Sequence, residues 1–207
     1  MQLKFGADPE LWIVDNNNKV IPALGLIPGT KENPHPVDCG AVQRDGLAAE
    51  FNIHPAESRE EWLHNIKTVY NQLENFVKEA NPDYRLSAFP VARFDPTEFK
   101  KYPLESKILG CDPDFNSSSR ANRNPSRKIF SKPIRTTSGH IHIGWTEGHD
   151  ANHPEHFETC RRLAKMISDR HAVPVTEDEL ERLKYYGMDG SFRPKSYGVE
   201  VRSFSNL

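Results

Sequence analysis

Four pairs of polar residues, each pair two positions apart, hold the side chains best suited to chemistry in this sequence: Asp8 and Glu10, Glu50 and Asn52, His140 and His142, Glu200 and Arg202. Side chains two apart on a β-strand point to the same face of a sheet. Neighbouring strands carrying these pairs would therefore line one surface with carboxylates, imidazoles and a guanidinium. Any single pair reads as the wet face of a sheet. Their recurrence, where surface strands usually take Lys, Thr or Ser, favours a site, because close carboxylates repel one another unless a cation sits among them.

The elements that must position these pairs are legible around them. Ala49, Phe51 and Ile53 alternate with Glu50 and Asn52; Ile141 and Ile143 alternate with the histidines; Val199 and Val201 alternate with Glu200 and Arg202. This is the period of a half-buried strand. Leu3 to Val14 reads as a first strand, Asp15-Asn16-Asn17-Asn18 as its turn, and Lys19 to Ile21 as the start of a return strand. After a Pro- and Gly-rich loop from Pro22 to Pro36, residues 37–54 read as two strands around Arg44-Asp45-Gly46, which makes Asp45 a turn residue rather than a ligand. Ser58 and Glu61 form a capping box before a stripe of Trp62, Ile66, Val69, Leu73, Phe76 and Ala80, which predicts a helix ended by Asn81-Pro82. Tyr84 to Val91 predicts another strand. About His153 to Arg170 predicts a second helix, with Phe157, Cys160, Leu163 and Ile167 inward. The order implies an α+β fold: a mainly antiparallel sheet with helices packed on one face.

At 207 residues the chain fits one domain, 1–207, or one with a sizeable insertion. Mean hydropathy is −0.70, and no apolar run reaches the length of a membrane span, nor does Met1 to Gly6 open a secretory signal. The expectation is a cytoplasmic protein with no membrane partner. Three scattered cysteines, Cys39, Cys111 and Cys160, without Cys-x-x-Cys spacing, read as reduced side chains. A formal net charge of −2 gives no global attraction to nucleic acid, and none is expected as a partner. Oligomeric state is not readable from these residues. The stretch from about 111 to 136 collects Arg120, Arg123, Arg127, Lys128, Lys132 and Arg135 among Asn, Pro and Ser. It reads either as a solvated linker or as a basic lid that closes over phosphates. No glycine-rich phosphate loop occurs, so any nucleotide must be held by metal ions and arginines.

Gly6-Ala7-Asp8-Pro9-Glu10, then Ser138-Gly139-His140-Ile141-His142, then Arg193-Pro194 before Gly198-Val199-Glu200-Val201-Arg202, occur in that order. The ordered set resembles the carboxylate–amine ligase superfamily that includes glutamine synthetase and glutamate–cysteine ligase. Within it, the chain is most similar to the small phage-encoded carboxylate–amine ligases of the second type, from phages similar to phiEco32. Asp8 and Glu10 match the family's acidic first motif, His140 and His142 its later strand, and Glu200 and Arg202 with Arg193 its last motif. Asp8 stands where many relatives have Glu. The chain stops at Asn206-Leu207, where small members continue into helix, so the resemblance reads it as a shortened or minimal form.

The resemblance implies a glutamine synthetase-like catalytic fold and an ATP-dependent reaction. A carboxylate becomes an acyl phosphate, which an amine attacks to give an amide, ADP and phosphate. Its substrates would be a small-molecule or peptide amine and carboxylate, in the host cytoplasm if the chain is phage-encoded. Hard oxygen ligands favour Mg2+ or Mn2+ over zinc. The metal ligands would come from Asp8, Glu10, Glu50, Glu200 and the histidines. Arg193 and Arg202 would grip the transferring phosphoryl group or the substrate carboxylate. Lys195 would help with phosphates or stand exposed on a loop, and Asn52 would hydrogen-bond substrate or serve the fold. Two other readings stand beside this one. His140, His142 and Glu147 have the spacing of a cupin-like or hydrolase metal site, and the chain could be a nucleotide-binding relative without catalysis.

Overall fold

A computed structural model of the chain describes residues 2–107, 114–118, 131–146, 148–170 and 176–206. The first half runs β1 (Lys4–Val14), β2 (Val20–Ile21), β3 (His35–Val37), β4 (Gly40–Asp45), β5 (Ala48–Ile53), α1 (Arg59–Ala80), β6 (Arg85–Ser87), β7 (Val91–Arg93) and α2 (Pro96–Lys101). The second runs β8 (Phe115–Asn116), β9 (Ile134–Thr136), β10 (Gly139–Gly144), α3 (Pro154–Ser168), α4 (Glu177–Leu183), β11 (Ser191–Lys195) and β12 (Gly198–Val201). The protein is α+β. Its main sheet has the order β3-β4-β5-β1-β10-β12-β11-β8, with every strand pairing antiparallel, and β2 and β6 pair with the far end of β1. The four strands that carry the polar pairs are thus consecutive neighbours, β5-β1-β10-β12.

Strand parity separates two faces. Phe5, Ala7, Leu11 and Ile13 of β1 point one way, with Phe51 and Ile53 of β5, Ile141 and Ile143 of β10, and Val199 and Val201 of β12. Against that face α1 packs Val69, Leu73 and Val77, and α3 packs Cys160 and Ala164. The opposite face carries the polar pairs. Towards the end of β1 it turns apolar again, and Trp12 and Val14 are covered by Ala92 and Phe94 around β7 and by Phe99 of α2.

The elements differ from their sequence expectations where local chemistry intervenes. The segment Tyr84 to Val91 is two short strands, because Pro90 has no N–H for a ladder and the Phe89 carbonyl instead accepts from Trp12 Nε1 at 3.0 Å and Thr137 Oγ1 at 2.8 Å. Ser58 caps α1 through the Glu61 N–H, but Glu61 reaches back one residue further than a capping box requires, to the Glu57 N–H. The buried stripe of α1 is Asn65, Val69, Leu73 and Val77, while Ala80 is exposed. In α3 the buried line is His156, Cys160, Ala164 and Ser168, flanked by Phe157, Leu163 and Ile167. Of the basic stretch, Arg120, Arg123, Arg127 and Lys128 lie outside the described residues, as do Cys111 and Glu147. Lys132 pairs with Tyr185 Oη at 2.9 Å. Arg135 is buried on the carbonyls of Lys107 and Lys132 and serves the fold. No helix among the described residues is long and apolar enough to cross a membrane.

Candidate active site

The polar face of β4, β5, β1, β10, β12 and β11 floors a cavity of about 620 Å3. Small-molecule pockets span roughly 300–1,000 Å3, so its size suits a substrate. Asp8, Glu10, Glu50, Asn52, His140, His142, Arg193, Lys195, Glu200 and Arg202 all line it. Register explains the convergence. Asp8 lies opposite His140, Glu10 opposite Glu50, His142 opposite Glu200 and Glu200 opposite Arg193. Opposed residues on neighbouring strands share a face. Gly6 lies opposite His142, and a Cβ there would come within 3.3 Å of the histidine's own Cβ, so glycine leaves the imidazole its room.

At the centre, Asp8, His140 and Glu200 hold ligand atoms within 4.8 Å of one another, the one such group of three among the described residues. His140 and Glu200 are buried, with side chains 6% and 2% exposed. His140 Nδ1 lies 3.1 Å from Asp8 Oδ1 and 3.6 Å from Glu200 Oε1. Asp8 Oδ1 and His140 Nδ1, both fully buried, face each other at ion-pair distance and have no other hydrogen-bond partner. Two such buried atoms, with a second carboxylate oxygen within 4.8 Å, are what a divalent cation would satisfy. The donor set of two carboxylates and one imidazole suits a divalent cation. Glu10, Glu50 and His142 stand outside that group of three.

The neighbours set each group's charge. Burial works to raise the Asp8 carboxyl, but the charges of His140 and His142 outweigh it and hold Asp8 well below the usual carboxylate range. His142 Nε2 is 3.2 Å from Asp8 Oδ2. Glu10 goes the other way. Burial first, then the Asp45 charge, lifts it to about 8, against the pull of the Ser138 N–H, which donates to its Oε2 at 2.7 Å. Burial and the nearby carboxylates Asp45, Asp8 and Glu10 likewise raise Glu50 well above its ordinary value.

A basic cluster adjoins the triad. Glu200 faces Lys195 Nζ at 2.9 Å, Arg193 Nη1 at 3.4 Å and the Arg202 guanidinium. Asp114 pairs with Arg202 Nε at 2.7 Å and Arg193 at 3.5 Å. Three cations thus meet two carboxylates, which leaves positive charge in excess for an anion. Lys195, expected on a loop, ends β11 and is part of this cluster.

Several residues here carry no motif. Tyr186 Oη is 3.0 Å from His140 Nε2, and its ring lies under Arg202, 5.1 Å from the guanidinium carbon. Tyr197 Oη meets His142 Nδ1. Gln43 Nε2 donates to Glu50 Oε2 at 2.8 Å. Asp45 closes β4 instead of sitting in the turn, and lines the cavity. Buried Arg182 of α4 binds Thr137 O at 3.1 Å and Ser138 Oγ at 3.2 Å, fixing the backbone that holds Glu10. Compared with protein-family models and with curated proteins, the chain matches none of either.

Proposed function

We propose that the protein is an ATP-dependent carboxylate–amine ligase that works with Mg2+ or Mn2+. The observation that carries this is the adjacency, on one cavity floor, of the metal-capable Asp8, His140 and Glu200 to the cationic cluster of Arg193, Lys195 and Arg202. Asp8, His140 and Glu200 would hold the metal, which when bound neutralises phosphate oxygens and polarises the transferring phosphoryl group. Arg193 and Arg202 present planar forks to that group or to the substrate carboxylate, and Lys195 adds a point charge. A carboxylate oxygen attacks the γ-phosphorus and ADP leaves. The amine nitrogen then attacks the carbonyl carbon, phosphate leaves, and the nitrogen gives up a proton.

Support comes from the ordered motifs, the acceptor-rich floor and the excess positive charge beside it. A cupin-like use of His140 and His142 leaves Asp8, Glu200 and the arginines without a task. The test is ATP turnover by the purified protein against pools of amines and carboxylates, read by mass spectrometry. Turnover should require a divalent metal and both substrates, and Glu200→Gln should cut it by about 100-fold or more. Metal-independent turnover, full activity in that variant, or tightly retained zinc or iron overturns the reading.

A further inference from the structure

We propose that Asp114 is a positioning residue for anion binding: its carboxylate, set between Arg193 and Arg202, holds the two guanidiniums together so that both grip one phosphoryl group. The task of that group rests on the ligase reading; the pairing of the arginines does not. Asp114 is 8% exposed. One of its oxygens, Oδ1, serves both cations, lying 2.7 Å from Arg202 Nε and 3.5 Å from Arg193 Nη2. Burial raises this carboxyl above its ordinary value, and the two arginines pull it back towards the charged form. Both arginines line the cavity, whereas Asp114 stands outside its lining. It therefore acts on a ligand through the arginines and not by contact.

The local fold delivers this carboxylate. β8 is the outermost strand beside β11, and pairs with it through Phe115 opposite Phe192 and Asn116 opposite Ser191. Phe115 anchors the strand in the apolar face, edge-on to Phe157 with ring centres 4.8 Å apart. Side chains alternate along a strand, so the residue before Phe115 turns to the opposite face, where Arg193 lies. Glu200 is the other carboxylate that both arginines share, through Arg193 Nη1 at 3.4 Å and Arg202 Nη1. But Glu200 also belongs to the group with Asp8 and His140. Asp114, outside that group, stays with the arginines whatever Glu200 binds. Two like charges side by side repel, and a carboxylate between them offsets the repulsion. Guanidiniums held at a fixed spacing bind the oxygens of one phosphoryl group better than two that swing apart.

The experiment titrates the whole protein with pyrophosphate in Mg2+ buffer. Binding is read by calorimetry and by the guanidinium resonances of the two arginines, assigned with Arg193→Lys and Arg202→Lys. In the wild type both arginines should shift along one binding curve. Asp114→Asn keeps the shape of the side chain and removes its charge. Loss of that charge alone would tighten pyrophosphate binding. Loss of the pairing should instead weaken it by about 10-fold, with the two arginines no longer following one curve. Circular dichroism checks that the variant folds. If it does not, Asp114→Glu carries the test: the charge is kept but displaced by one methylene, and affinity should still fall several-fold. Tighter or unchanged binding in Asp114→Asn, or wild-type affinity in Asp114→Glu where that variant must stand in, overturns the proposal. Unchanged binding with a lowered unfolding midpoint would make Asp114 a residue of the fold alone. A wild-type protein that binds no pyrophosphate overturns the proposal as well. Pyrophosphate binding through both arginines, without ATP turnover under any substrate pool, overturns the ligase reading alone and leaves the role of Asp114 standing.

Discussion

Which nitrogen each histidine offers is decided by a tyrosine. His140 gives Nε2 to Tyr186 Oη and turns Nδ1 to the carboxylates; His142 gives Nδ1 to Tyr197 Oη and turns Nε2 to Asp8. The residue before a metal is oriented by the residue behind it, and outer partners of this kind are typically worth about 10- to 100-fold in metal affinity. Tyr186→Phe keeps the ring under Arg202 and removes only the hydroxyl, so Mn2+ affinity measured by calorimetry should fall within that range while the folded spectrum is retained. An unchanged affinity would separate His140 from metal binding. None of these tyrosines was legible in the sequence, since each stands alone outside any motif. Gln43 was hidden for a different reason. The sequence puts the turn at Arg44-Asp45-Gly46, but the hairpin turns at Gly46-Leu47, and it is that shift which sets Gln43 opposite Glu50.

Strands show their faces in sequence because alternation is local, but they do not show their partners. The pairs on β1, β5, β10 and β12 were visible as same-face sets, whereas the register setting Asp8 against His140 joins residues far apart in the chain. Helix α4, which clamps Ser138 through Arg182, was missed because its buried face consists of Glu179 and Arg182, a charged pair that mimics a solvated turn. The hairpin β4–β5 depends on a glycine for a reason of packing alone. A Cβ on Gly40 would sit 2.0 Å from the Asn52 carbonyl oxygen and 2.9 Å from Val69 Cγ2 of α1. Gly40→Ala must therefore push β4 off β5 or α1 off both, and chemical denaturation should show a loss of about 1–3 kcal/mol. Gln43 and Glu50 share that ladder, so their hydrogen bond should loosen with it, while the Asp8–His140–Glu200 group on the neighbouring strands keeps its geometry.

At the scale of the molecule, one face of the sheet buries hydrocarbon under α1 and α3 and the other buries carboxylates, and these two faces respond to pH differently. The shifted groups of the apolar face, the Cys160 thiol pushed up to about 12 and the raised Tyr70, titrate only in base, so near neutrality the raised carboxyls of the cavity floor set the trend. Glu10, lifted to about 8 from an ordinary 4.5, and Glu50, also raised, keep their protons in the folded state after the unfolded chain has lost them. Above the ordinary value the unfolded state then binds fewer protons than the folded one, and stability falls as pH rises towards 8. Asp8, held below its ordinary 3.8, has the opposite sign: its contribution is present above that value and is lost as pH falls beneath it. The two trends set the metal-free maximum on the acid side of neutrality. Urea unfolding in the presence of EDTA should accordingly give a higher midpoint at about pH 5 than at about pH 8. In Glu10→Gln/Glu50→Gln the slope between these values should flatten, because neither glutamine can lose a proton in either state. A double variant that kept the wild-type slope would place the titrating groups elsewhere and remove the buried, repelling carboxylates as the source of the effect.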